Sequence, residues 1–227
     1  MFLKQFLKEL SGSRVEGELL KTIFISLVTS FATLALLYFL AFKNVPDVLP
    51  KYGFYLFIAA ISYALIVPTI RQVRAYKHFN CMSGMMIGMT VGMIAGFMSG
   101  YLIGATNGMF VGGVFGMVIG SALGIWMGSC CGVMGFMEGV MAGFMGGLMG
   151  AMTAVMLLND HLKAATVIVA LFSGIIALSL NYMIFFEMKE NERQKEENQR
   201  ITFVITVVLM VLTSWLMILG PRSALLA

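Results

Sequence analysis

Residues 82–158 read MSGMMIGMTV GMIAGFMSGY LIGATNGMFV GGVFGMVIGS ALGIWMGSCC GVMGFMEGVM AGFMGGLMGA MTAVMLL. Glycine recurs at 84, 88, 92, 96, 100, 104, 108, 112, 116, 120, 124, 128 and 132 without a miss. The phase then slips by one residue, and Gly135, Gly139, Gly143 and Gly147 continue it, with Gly113, Gly146 and Gly150 as extras. A register that survives two presumed turns points to the expansion of a short repeat. Glu138 is the only charged residue in the stretch. A membrane crossing needs about 20 mostly apolar residues, so this segment divides into three spans, 82–104, 109–128 and 134–158. On each of them, glycines four apart form a shallow groove that lets a neighbouring backbone approach closely. In lipid, where helices gain no hydrophobic drive from meeting, small residues promote association through packing, with right-handed crossings near about −40°. The three spans are therefore expected to form a compact inner bundle.

The rest of the 227-residue chain continues in the same vein. It is 59% apolar and 11% charged, where a soluble domain carries roughly 25% charged residues. Lipid must be the solvent for most of it. Further spans read at 21–43, 53–70, 164–187 and 201–220, giving an all-α polytopic membrane protein of about seven helices with a glycine-zipper inner bundle. Four parts follow in order. Residues 1–20 are a cytoplasmic amphipathic segment, 21–81 two spans and a basic loop, 82–158 the Gly/Met-rich core, and 159–227 two spans joined by a charged cytoplasmic loop. The amphipathic segment places Phe2, Leu3, Phe6, Leu7 and Leu10 on one helical face with Lys4 and Lys8 off it, a pattern suited to lying on a membrane surface.

Net charge is +4, but the basic residues sit between apolar runs, so topology explains them and nucleic acid is excluded as a partner. An N-terminus inside the cell leaves eleven Lys and Arg in cytoplasmic segments, including Arg71, Arg74, Lys77, Lys189, Arg193, Lys195 and Arg200. Lys43, Lys51, Lys163 and Arg222 lie outside. The positive-inside rule thus predicts an N-in, C-out protein of the cell membrane. Three cysteines without scaffold spacing give no disulfide framework. No nucleophile–base pairing, phosphate loop or paired carboxylate appears, so enzyme chemistry is not expected. His78 and His161 stand alone, one in each of two loops.

Sixteen of the 21 methionines fall between 82 and 156. Met85, Met89 and Met93 keep helical spacing on the third span; Met134, Met137, Met141 and Met145 follow on the fifth. M-x-x-x-M stacks sulfurs one turn apart on one face, and thioether and thiolate ligands select soft ions, Cu(I) above all. Cys130 and Cys131, in the turn between the fourth and fifth spans, would place thiols at the cytoplasmic end, suited to handing an ion to or from a cytosolic metal carrier. Glu138 lies between Met137 and Met141, and an acid inside a span is by default functional. These ten residues form the candidate metal set, expected to converge on a common space in the inner bundle. A blander account is also open: methionine is flexible and polarizable and fills gaps beside glycine grooves.

The stretches MSGMMIGMTVGM (82–93) and MEGVMAGFMGGLMGAM (137–152) resemble the Gly/Met-rich membrane segment of some Gram-positive proteins that also carry a cupredoxin-like domain. The likeness covers about a third of the chain. M-x-x-x-M beside G-x-x-x-G also resembles the eukaryotic copper transporters in its chemistry. Both resemblances imply copper. Three functions stay open at this stage. The first is a membrane protein binding or conducting Cu(I) or Ag(I). The second is a structural or assembly protein whose Gly/Met helices pack a partner or further copies of the chain in the bilayer. The third is a transporter, channel or sensor unrelated to metals.

Overall fold

The computed structural model describes residues 17–43, 48–76, 79–129, 132–187 and 199–221. Seven long helices account for them: α1 (Gly17–Leu37, continued by a π turn over Tyr38–Phe42), α2 (Val48–Ala75), α3 (Cys81–Asn107), α4 (Met109–Gly128), α5 (Gly132–Met156), α6 (Leu162–Glu187) and α7 (Gln199–Leu219). All seven are long and apolar enough to cross a membrane, and the described residues contain no strand. The chain is an integral membrane protein of the multi-pass helical class. The boundaries follow the expected spans to within a few residues, with one instructive difference. α2 runs on through Arg71 and Arg74 to Ala75, where the sequence reading had placed a basic loop. The N-terminal amphipathic segment falls mainly outside the described residues, as do Cys130, Cys131, His78 and the charged run over 188–198.

Successive helices run antiparallel. The start of α1 meets the end of α2, where Arg71 donates to Thr22 Oγ1 at 2.7 Å. Gly88 near the start of α3 lies against Gly128 at the end of α4. At the opposite end Asn107 Nδ2, from the close of α3, donates to the Leu216 carbonyl of α7 at 2.9 Å. The molecule thus has an Arg71 end and an Asn107 end.

Three helices, α3, α4 and α5, pack mutually and more intimately than any others. The reason is the glycine ladder. A Cβ on Gly120 of α4 would stand 2.7 Å from Cα of Gly96 and 2.9 Å from Cα of Gly143. One on Gly116 would stand 2.8 Å from Cα of Gly100 and 2.8 Å from Cα of Gly147. At these levels three helices share one axis of backbone-to-backbone contact, closer than any side chain allows. The α3–α4 corner is a single residue, Gly108, with φ 107°. Only glycine adopts that value without strain, and it lets Gly112 come within 2.6 Å, Cβ position to Cα, of Gly104.

The remaining helices pack differently. α2 contacts α1, α3, α6 and α7, and its Ala59, Ala60, Tyr63, Ala64, Val67 and Ile70 are essentially inaccessible. Large side chains from its neighbours, Ile184 of α6 and Met210 and Met217 of α7, are buried in the same core. Buried hydroxyls on α1 and α7 return their protons to carbonyls one turn back, as Ser30 does to Ser26 (2.8 Å) and Ser214 to Met210 (2.5 Å). Ser26 and Thr206 meet across the α1–α7 contact at 3.3 Å. In lipid such satisfied hydroxyls tie helices together without exposing a polar group.

The glycine contacts set the first prediction. Gly116→Ala and Gly120→Ala force backbones apart and should each destabilise the protein by about 1–3 kcal/mol or more, the usual cost of overpacking. Gly53→Ala, inside α2 with open space around it, should instead be neutral or stabilising by up to about 1 kcal/mol. Thermal unfolding of the three variants in one detergent checks the order.

Candidate functional site

On α5 the glycines and methionines occupy opposite sides. Gly135, Gly139, Gly143 and Gly147 are buried against α3 and α4, while Met134, Met137, Met141 and Met145 are 53–65% exposed. The phase explains it: Met137, Met141 and Met145 each follow a glycine by two positions, about 200° around a helix at 3.6 residues per turn. Glycine holds the inner face, so the bulky side chains go outward. Met149, Met152 and Met156 extend the exposed row. Glu138 stands half-buried beside this row, about 9 Å from the helix start at 1.5 Å per residue.

The methionine sulfurs among the described residues therefore do not converge on the interior of the inner bundle within one chain. The interior is filled by glycine backbone. On α3, Met85 and Met93 are half-buried and Met89 is 40% exposed; they flank the glycine face instead of opposing it. Met89 and Met93 are brought together with a methionine outside the predicted set, Met86. All three line a cavity of about 530 Å³ between α3 and α6, lined on the α6 side by Phe172 and Ile176 among others. The sulfur of the adjacent Met98 accepts from Ser173 Oγ at 3.3 Å. Among the described residues no three of His, Cys, Asp and Glu come together as a metal-ligating group.

A second cluster, at the Arg71 end of α2, was missed by sequence reasoning. Arg71 is 7% exposed and Gln72 fully buried. Gln72 Nε2 donates to the backbone carbonyl of Asn181 on α6 at 3.3 Å, and Asn181 is itself 3% exposed. Among the described residues, Gln72 Oε1, Asn181 Oδ1 and Thr69 Oγ1 have no hydrogen-bond partner. Arg71 and Gln72 fell in the segment read as loop, which hid them. The available signal was Asn181, an amide inside an otherwise apolar span. Nearby, Arg74 lies 4.9 Å over the Trp126 ring, a cation–π contact that fastens the end of α2 to the end of α4.

The chain matches no protein-family model, no curated protein and no solved structure. Its site rests on its own geometry.

A charge-assisted hydrogen bond such as Arg71–Thr22 contributes about 1.5–3 kcal/mol. Thr22→Val keeps the side-chain shape and should lower stability by about that amount. Thr33→Val, whose hydroxyl only reaches the Ser30 carbonyl of its own helix at 2.8 Å, should change it by less than about 0.5 kcal/mol. Unfolding midpoints of the two variants against the parent give the comparison.

Proposed function

We propose that this protein is an assembly component of the cell membrane, N-terminus inside, in which α5 presents its methionine row to a second copy of the same chain. The carrying observation is the segregation on α5. Glycines fix one side against α3 and α4, and the other side, rich in methionine and phenylalanine, is exposed among the described residues. Methionine adapts to irregular surfaces and suits a face that must seal against another helix. Glu138 supports a second copy as the occupant. It stands beside that face with no basic residue in the 82–158 segment to balance it, and an ionised carboxyl facing lipid is costly. Two copies inserted in the same direction bring Glu138 to equal depth, where the facing helix covers both side chains from lipid.

The soft-ion reading gains a place in such a pair. Met137, Met141 and Met145 diverge from the interior of one chain, but in parallel copies they stand opposite their own counterparts. Few, directly coordinating sulfurs are what Cu(I) or Ag(I) selects. Met86, Met89 and Met93 around the α3–α6 cavity offer a second sulfur group within the chain.

One experiment separates the two. Met141→Cys in a background free of other cysteines, oxidised in native membranes, should yield a disulfide-linked dimer, whereas Val118→Cys on the outer face of α4 should not. Dimer formed equally with and without added Cu(I) or Ag(I) supports assembly alone. Dimer that requires the ion, lost with Met137→Leu, supports the metal reading. Monomer under all conditions overturns both readings at this face. Orientation has its own check: in intact cells a membrane-impermeant maleimide should modify Asp160→Cys and spare the exposed Cys81.

A further inference from the structure

At the Asn107 end, where α5 turns into α6, the chain leaves a cavity of about 560 Å³. Tyr55 of α2, Ala105 of α3, His161 of the turn, and Leu162, Lys163 and Ala164 of α6 line it. Its size falls within the range of about 300–1,000 Å³ usual for small-molecule sites. Its depth is that of the membrane boundary, since the α2 span begins at Pro50, the α3 span ends at Asn107 and the α6 span begins at Leu162. The turn above it is held in shape. Asp160 N–H donates to the Leu157 carbonyl at 3.0 Å, and His161 sits at φ 40°, an uncommon value for a residue other than glycine. Behind the lining, the Tyr101 hydroxyl meets Thr166 Oγ1 at 3.3 Å and the Leu162 carbonyl at 3.4 Å, which seats the start of α6 on α3.

The polar side chains of this lining can all donate a hydrogen bond. Lys163 supplies an ammonium and His161 an imidazole N–H, and both residues are exposed. Leu162, Lys163 and Ala164 open the 26-residue α6, so their N–H groups have no carbonyl one turn back within the helix, and the positive end of its dipole falls here. Among the described residues no carboxylate lines the cavity; Asp160, beside His161, stays outside the lining. Tyr55 decides the reading. It is 9% exposed, yet among the described residues its hydroxyl makes no hydrogen bond. A phenol buried this far ordinarily has a partner. We infer that this cavity binds a phosphate group, held by Lys163 and the start of α6, with Tyr55 donating from within. Donors from two helices and a turn suit an anion with several oxygens, and a helix N-terminus is a ready phosphate site. At this depth a bilayer itself presents phosphate, and the cavity has room for groups beyond it. The lining shares no residue with the α5 methionine row, so either reading stands or falls without the other.

The test titrates the full-length protein, purified in a neutral detergent, with inorganic phosphate and with dihexanoyl phosphatidylglycerol at constant ionic strength, and reads thermal unfolding. At least one probe should raise the Tm of the parent saturably by several degrees, as a ligand of the folded state must. A response to inorganic phosphate assigns the site to the free ion; a response to the lipid alone assigns it to a headgroup. Lys163→Gln, at an exposed position, should raise the concentration needed for half the shift severalfold. Tyr55→Phe should do the same without lowering the Tm of the unliganded protein, because the hydroxyl it removes has no partner to lose. Lys51→Gln removes a cation at the same end but outside the lining, and should keep the parent's response. No saturable response to either probe overturns the proposal. So does a full response in both site variants, or an equal loss in Lys51→Gln, which would reduce the effect to diffuse charge.

Discussion

In a bilayer, lipid tails contact an apolar side chain as favourably as another helix does, so helices stay together only where packing is better than lipid can offer. In this protein that condition is met by backbone touching backbone. Gly116 and Gly120 of α4 sit between glycines of α3 and α5 at separations no Cβ permits, and much else about the molecule follows from that contact. Because the shared axis is closed by main chain, no ion path runs along it. Because glycine occupies the inward positions of α5, methionine and phenylalanine are displaced to the outside, where they become a surface instead of a lining. The residues that first suggested a conduit are, by the same packing, the residues most available to a second molecule.

The other half of the bundle meets the same requirement by different means. Around α2, alanines and tyrosines share one core with large side chains of α6 and α7, and hydroxyls meet between α1 and α7. This half tolerates polar groups because it has the side-chain variety to satisfy them, and the few it leaves unsatisfied stand out. α3 belongs to both halves. Its glycine face meets α4 and α5, while Met98 and Leu102 are fully buried and Ser173 of α6 reaches the Met98 sulfur. The Arg74–Trp126 contact is a second tie between the halves, made at the bundle's rim.

Much of this was legible in the sequence, and the reasons are specific. Seven apolar runs gave seven helices because lipid leaves the backbone no other way to satisfy itself. The close approach of α3, α4 and α5 follows from glycine at every fourth position. The outward direction of Met137, Met141 and Met145 was also available, in their two-residue offset from Gly135, Gly139 and Gly143, although chemistry alone suggested that the sulfurs faced in. What could not be read was partnership across distance. Nothing local shows that Gln72 meets Asn181, 109 residues away, or that Met86, Met89 and Met93 share a cavity with α6. Arg71 is hidden for a related reason: an arginine ends a hydropathy run, yet here the helix continues past it, its guanidinium donating a hydrogen bond to Thr22.

A ladder of identical rungs has a drawback as well. If every fourth residue is glycine on both sides of a contact, sliding one helix by four residues, about 6 Å at 1.5 Å per residue, restores glycine against glycine. The pattern that permits contact is nearly indifferent to register. Uniqueness must come from the positions that break the repeat. The single-residue corner at Gly108 fixes α4 on α3. For α5 the break is the phase slip between Gly132 and Gly135, together with the extra glycines. Gly146 seats on Met93, at 3.1 Å from the Cβ position to Cα, and Gly150 on Phe97, at 3.0 Å. Ala151 closes on Gly104, 2.9 Å from the glycine's Cβ position to the alanine Cα. These few departures work like the offset scale of a vernier, so that of several nearly equivalent alignments only one brings every mark into coincidence.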